Sequence, residues 1–238
     1  MKKLVAILLC LLLAGCSTVI IDEEVPSIYD TAMDDGQVLI VVDAGHGLSD
    51  VGAINEENLG TITEADINFA VASALSGFLA ERGYTVVMSH DGETKPETKY
   101  DDGEDTYGPG ERADFSNAQA ADLFISIHCD SFPTNTDVYG TRLYYGVDTP
   151  NSSLLDQSFA EALKYKIEEK FPSDKKVILK PMSGNSAYTV LYKTTVPSVL
   201  VECGFITNAS DAKKLTDESW QKDFASSLAD GIDMYFEK

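Results

Sequence analysis

Three apolar runs in this sequence lead into side chains able to hold a metal or move a proton. Val38-Leu39-Ile40-Val41-Val42 stops at Asp43, with His46 following between Gly45 and Gly47. Leu123-Phe124-Ile125-Ser126-Ile127 ends at His128, and Val199-Leu200-Val201 ends at Glu202. A histidine at the end of a buried strand is well placed for metal binding or proton transfer. Catalytic zinc sites draw three protein ligands from histidine and carboxylate and keep a position open for water. His46 and His128 would supply two, and Glu64 is the candidate for the third. Glu64 has a competing local role, because Thr61-x-x-Glu64 fits a capping box and a carboxylate in a first helical turn favours the helix dipole; spacing alone favours the cap. For either histidine the alternative is a structural imidazole bonded to backbone. Glu202, beside Val201 and Cys203-Gly204-Phe205, is costly to bury unless it pairs with Arg112 or a lysine, or serves as a general base towards water on the metal. His90 also follows a strand and is expected at the surface or behind the site.

Positioning these groups requires an α/β fold. The first run lacks a polar break, as a strand buried on both faces would. After a polar loop over 48–60, a helix is expected from Thr61 to Glu81, with Ile67, Val71, Ala74, Leu75, Phe78 and Leu79 on one stripe and Gly83 as its stop. Tyr84–Met88 is the next strand, and this β-α-β start implies parallel pairing. Asp91–Gly110 is a long acidic loop, either a lid or wall of a substrate groove or a disordered surface segment. Glu111–Ala121 is a short helix leading to the strand that ends at His128. Further strands are expected at Gly140–Tyr145, Val177–Leu179, Ala187–Tyr192 and Pro197–Glu202, and helices at Asn151–Lys170 and Asp211–Phe236. The alternation predicts a three-layer α/β domain. In such sheets, sites gather at the carboxyl ends of the strands.

The chain has 238 residues, 44% apolar and 24% charged, enough for one domain of about 200 residues. Its formal net charge of −21 argues against nucleic acid as a partner, since phosphate binding needs a basic face. The N-terminus reads as a targeting signal: Met1-Lys2-Lys3, an apolar core from Leu4 to Leu13, then Leu13-Ala14-Gly15-Cys16. That run is shorter than the roughly 20 residues that span a bilayer. It resembles a bacterial lipoprotein signal, which implies cleavage before Cys16 and lipid on that residue. The organisation expected is a signal peptide over 1–15, a lipidated acidic tether over 16–36 and a catalytic domain over 37–238. Cys129 and Cys203 then remain, each directly following a candidate site residue; buried free thiols are expected, with a disulfide as the alternative in a compartment that allows one.

Four blocks carry a wider resemblance: Val41–Gly47, Thr63–Asn68, Asp122–His128 and Pro197–Asn208. In content and order they resemble the zinc-dependent N-acetylmuramoyl-L-alanine amidases of the amidase type 3 family, which hydrolyse the bacterial cell wall. The resemblance implies a mostly parallel sheet of about six strands with helices on both faces, and one Zn2+ held by His46, Glu64 and His128, with Glu202 as the catalytic glutamate. Arg112 and Asn117 match the family's Arg-and-Asn helix, where a supporting role is expected. The family usually has proline at the position of Ala44, glycine at Leu48 and arginine at His90. The implied substrate is peptidoglycan, and the implied place is the cell envelope, with the membrane reached through the N-terminal lipid and a monomer as the simplest state. Two other functions fit the residues less closely, a lipoprotein that binds wall peptides without cutting them and a zinc amide hydrolase for small peptides.

Overall fold

A computed structural model of the chain describes residues 37–56, 61–96, 107–173 and 176–237. The signal, the tether and the tip of the acidic loop lie outside these residues. Residues 36–238 form one compact unit.

Its centre is a six-stranded sheet in the order β4-β1-β5-β8-β6-β7, made of β1 (Leu39–Ala44), β4 (Thr85–Met88), β5 (Leu123–Asp130), β6 (Arg142–Val147), β7 (Ile178–Ser183) and β8 (Ser198–Phe205). The first four in that order run parallel; β6 is antiparallel to β8 and carries β7 parallel to itself. Strand parity sorts the side chains into two layers. On one face Ile40, Val42, Ile125, Ile127, Leu143, Val199 and Val201 are fully buried. Helices α1 (Glu64–Glu81) and α3 (Leu154–Lys170) cover it through Val71, Leu75, Phe159 and Leu163, and α6 (Glu218–Tyr235) packs against both of them with Phe224 and Leu228 buried. On the other face Val41, Phe124, Tyr144 and Leu200 pack with Val190 and Leu191 of α4 (Thr189–Lys193) and with Phe115 of α2 (Pro109–Ala118).

The chain leaves β1 through α1 to β4 on one side, then crosses through α2 to β5 on the other. The sheet therefore changes direction between β1 and β5, where a cleft opens at the strands' carboxyl ends.

Several local expectations need correction. The first helix begins at Glu64, and its cap is Thr63, whose Oγ1 accepts from Asp66 N at 3.2 Å and donates to Asp66 Oδ2 at 2.6 Å. Thr61 has no part in it, and Glu64 is thereby released from capping. The polar loop over 48–60 contains β2 (Ile54–Asn55), which pairs antiparallel with β3 (Ile62–Thr63). The run Ala187–Tyr192 is not a strand but leads into α4, because Val190 and Leu191 bury onto the sheet face rather than at its edge; so short an apolar run has no decisive period. The segment Asp211–Phe236 is broken into α5 (Ala209–Leu215) and α6, because Asp217 accepts from Trp220 N at 2.8 Å and starts a new helix.

Candidate active site and metal centre

His46 sits just past the end of β1 on a loop closed by paired hydrogen bonds between Gly47 and Asp50, at 2.7 and 3.1 Å. The loop is strained. His46 has a φ of 61° and Leu48 one of 59°, both in the left-handed region. Leu48 stands where the resembled family has glycine, and that backbone angle explains the family's choice. The turn brings Asp50 Oδ2 to 2.7 Å from His46 Nδ1, leaving Nε2 facing inward, 3.3 Å from Glu64 Oε1.

His128 lies in β5 with its Nδ1 3.0 Å from the same Glu64 oxygen. It can approach β1 only because residue 45 is glycine: a Cβ there would meet the His128 ring at 2.1 Å. Gly45 thus makes room for His128, not for its own neighbour His46. Glu64 is fixed by Ala53 N on Oε2 at 3.0 Å and by Cys129 N on Oε1 at 3.1 Å. The two imidazole centres are 5.0 Å apart, and one donor atom from each of His46, Glu64 and His128 lies within 4.8 Å of the others. Burial alone would lower the basicity of His46, but the hydrogen bonds and charges of Glu64 and Asp50 outweigh it, raising its pKa to about 9. Burial likewise opposes the Glu64 carboxylate, and the two histidines overcome it, so its pKa is lowered.

Glu202 lies beside His128 in the β5–β8 register, on the cleft face. It is buried, and its Oε2 has no hydrogen-bond partner among the described residues. Burial, then the negative charges of Asp130 and Glu64, push its pKa well above the usual carboxylate value, with Arg142 pulling the other way. The expected alternative partner, Arg112, is committed elsewhere. Its Nη1 donates to Asp43 Oδ1 at 2.7 Å and to Ala44 O at 2.6 Å, and its Nη2 donates to His46 O. Ser89 and Ser126 donate to the other lone pairs of Asp43. Arg112 therefore ties α2 to the loop that carries His46. Asn117 is not in the cleft; it bonds Lys193 O and the backbone and hydroxyl of Thr195, fastening α2 to the segment before β8. His90 is buried rather than at the surface. Its Nε2 lies 2.7 Å from Ala44 O, and its Nδ1 accepts from Gly92 N.

His46, Glu64, His128 and Glu202 share one cleft of about 370 Å³. Tyr107, Pro109 and Arg112 flank the histidines, and Tyr188, Thr189, Val190 and Leu200 form the wall near Glu202. A pair of imidazoles and a carboxylate converge at one end, with an unpartnered carboxyl alongside. That is the equipment for metal-assisted hydrolysis. Asp50, Asp130 and Arg142 did not stand out in the sequence. Asp130 had a usable signal, since two residues after His128 on a strand means the same face.

A family profile described as N-acetylmuramoyl-L-alanine amidase matches residues 40–234. The Bacillus subtilis protein YqiI, itself uncharacterised, is 32% identical over 199 residues, covering 84% of this chain and 85% of its own. The germination-specific N-acetylmuramoyl-L-alanine amidase of B. subtilis is 29% identical over 201 residues, covering 83% and 79% respectively. Among solved structures, the amidase AmiC2 of Nostoc punctiforme superposes with a TM-score of 0.69 at 26% identity, covering 85% of this chain and 99% of that one.

Proposed function

The chain belongs to the family of N-acetylmuramoyl-L-alanine amidases, hydrolases of peptidoglycan, and from that premise we propose that His46, Glu64 and His128 hold one zinc ion while Glu202 carries the proton. The bond broken is the amide between the lactyl group of N-acetylmuramic acid and L-alanine of the stem peptide. The donor set fits the ion: two imidazole nitrogens and a carboxylate oxygen face one point, and the Asp50 bond to His46 Nδ1 leaves Nε2 free to ligate. Zinc at that point supplies a Lewis acid for the scissile carbonyl and makes water acidic enough to lose a proton near neutral pH.

The remaining steps belong to the chain. Glu202 accepts the proton of the attacking water as oxygen bonds to the lactyl carbonyl carbon. As the carbon–nitrogen bond breaks, Glu202 returns that proton to the nitrogen of L-alanine, which leaves as an amine. Burial favours a carboxyl able to do both, because its neutral form is not prohibitively costly. Arg112 keeps the His46 loop in place through the backbone carbonyls of Ala44 and His46, and is itself steadied by that of Tyr107.

The observation that carries this reading is the convergence of three donors with the buried Glu202 carboxyl beside His128 on the neighbouring strand. Purified muropeptides incubated with the protein should release peptides beginning with free L-alanine, and a chelator should stop the release. Intact muropeptides at full zinc occupancy would overturn the reading.

The N-terminal segment supports a second part of the proposal. Cleavage before Cys16 and lipidation of that residue would anchor the domain to a membrane in the cell envelope, with residues 16–36 as its tether. Mass spectrometry of the mature chain should find a lipid-modified Cys16 at its start; an unmodified N-terminus further on would end this idea.

A further inference from the structure

Beside Glu202, on the same face of the sheet, stands a charged pair that the hydrolysis above does not use, Asp130 and Arg142. Across the antiparallel β8–β6 pair, Arg142 lies opposite Glu202, as His128 does across β5–β8. The three side chains form one row on the cleft face. Arg142 is gripped on two sides. Its Nη1 donates to Asp130 Oδ2 at 2.9 Å, and its guanidinium lies 4.3 Å from the centre of the Phe205 ring. Among the described residues its buried Nε has no hydrogen-bond partner, and neither does Glu202 Oε2. A buried donor and a buried acceptor of opposite charge, neighbours in one row, each cost free energy until they are joined directly or through a water. Of the influences on Glu202, burial, Asp130, Glu64 and Cys203 all oppose the carboxylate, while Arg142 favours it.

We propose that Arg142, clamped by Asp130 and stacked on Phe205, is the positioning residue of Glu202, its Nε–H and charge keeping that carboxylate aimed at the reacting amide. The inference rests on the reading of Glu202 as the proton carrier. It assigns the two arginines separate tasks. Arg112 fixes the loop of the first metal ligand, and Arg142 fixes the base.

The test uses the zinc-loaded full chain with muropeptide substrate and the variants Arg142→Met, Arg142→Lys, Glu202→Gln and the Arg142→Met/Glu202→Gln double. Arg142→Met should lower kcat roughly 10- to 100-fold, the scale seen when a supporting partner is removed, with KM and bound zinc unchanged. Arg142→Lys should recover part of the loss, since an ammonium restores the charge but not the fork of donors. In the Glu202→Gln background, Arg142→Met should cost less than about twofold more, because nothing remains to be positioned. A wild-type kcat in Arg142→Met would overturn the proposal. So would a loss repeated in full on the Glu202→Gln background, which would mark Arg142 as merely structural. If Arg142→Met does not fold, the same two comparisons are made with Arg142→Lys. A Glu202→Gln enzyme as fast as wild type would instead sink the reading of Glu202 itself.

Discussion

One carboxylate oxygen of Glu64 faces both imidazoles, at 3.3 and 3.0 Å, and this shared contact separates the roles of the neighbouring residues. His128→Ala removes a donor and should abolish zinc retention, measured as metal per chain after gel filtration. Glu202→Gln leaves all three donors and should keep the metal while losing at least about 100-fold in turnover, the usual worth of an acid–base group. A Gln variant close to the wild-type rate would place the proton carrier elsewhere. Gly45→Ala makes a sharper claim, because a methyl group would lie 2.1 Å from the His128 ring and the imidazole has to swing away. Zinc affinity should fall about 10- to 100-fold, a loss that a zinc titration against a competing chelator would register. At this scale the sequence is most legible for His46, His128 and Glu202, where each apolar run delivers one polar group. It is least legible for Glu64. Thr61-x-x-Glu64 and Thr63-x-x-Asp66 are equally good capping patterns, and only packing chooses the second.

Between elements, the buried pair of Asp43 on β1 and Arg112 on α2 joins the strand, the His46 loop and the helix. Burial opposes the Asp43 carboxylate, but the Arg112 charge and the hydrogen bonds from Ser126, Ser89 and Arg112 outweigh it, and its pKa lies below the ordinary 3.8. A carboxyl depressed in the folded state adds stability above its unfolded value, and that stability is lost as pH falls through the folded value. Asp43→Asn should therefore destabilise the protein by about 3–5 kcal/mol at neutral pH, since it leaves a guanidinium buried beside a neutral amide. The gap in melting temperature between wild type and variant should narrow below about pH 3.8. A gap that stays constant down to the acid limit would show that the pair contributes no charge-dependent stability. The strand-helix alternation from β1 to β5 is legible because each period is long enough to read. The orientation of β6 is not, because parallel and antiparallel neighbours demand the same apolar face. The break at Thr216-Asp217 is hidden for another reason: no glycine or proline marks it, and Asp217 can sit inside a helix as readily as cap one.

Over the whole molecule, the three layers have opposite uses. Helices α1, α3 and α6 seal one side of the sheet with aliphatic and aromatic side chains, while the short helices α2 and α4 leave the other side open at the strands' carboxyl ends. The sign of the net charge argues against nucleic acid as a partner but says nothing of this shape. The donors at residues 46, 64 and 128 come from three elements that meet where the sheet reverses direction. An ion there would act as a cross-link as well as a reagent, a staple across the seam that unfolding must open. Melting temperature should consequently rise with free zinc, by about 4 kcal/mol of added stability at 1,000 times the dissociation constant. The inactive Glu202→Gln chain should show the same rise, so calorimetry can count the staple's contribution without any turnover.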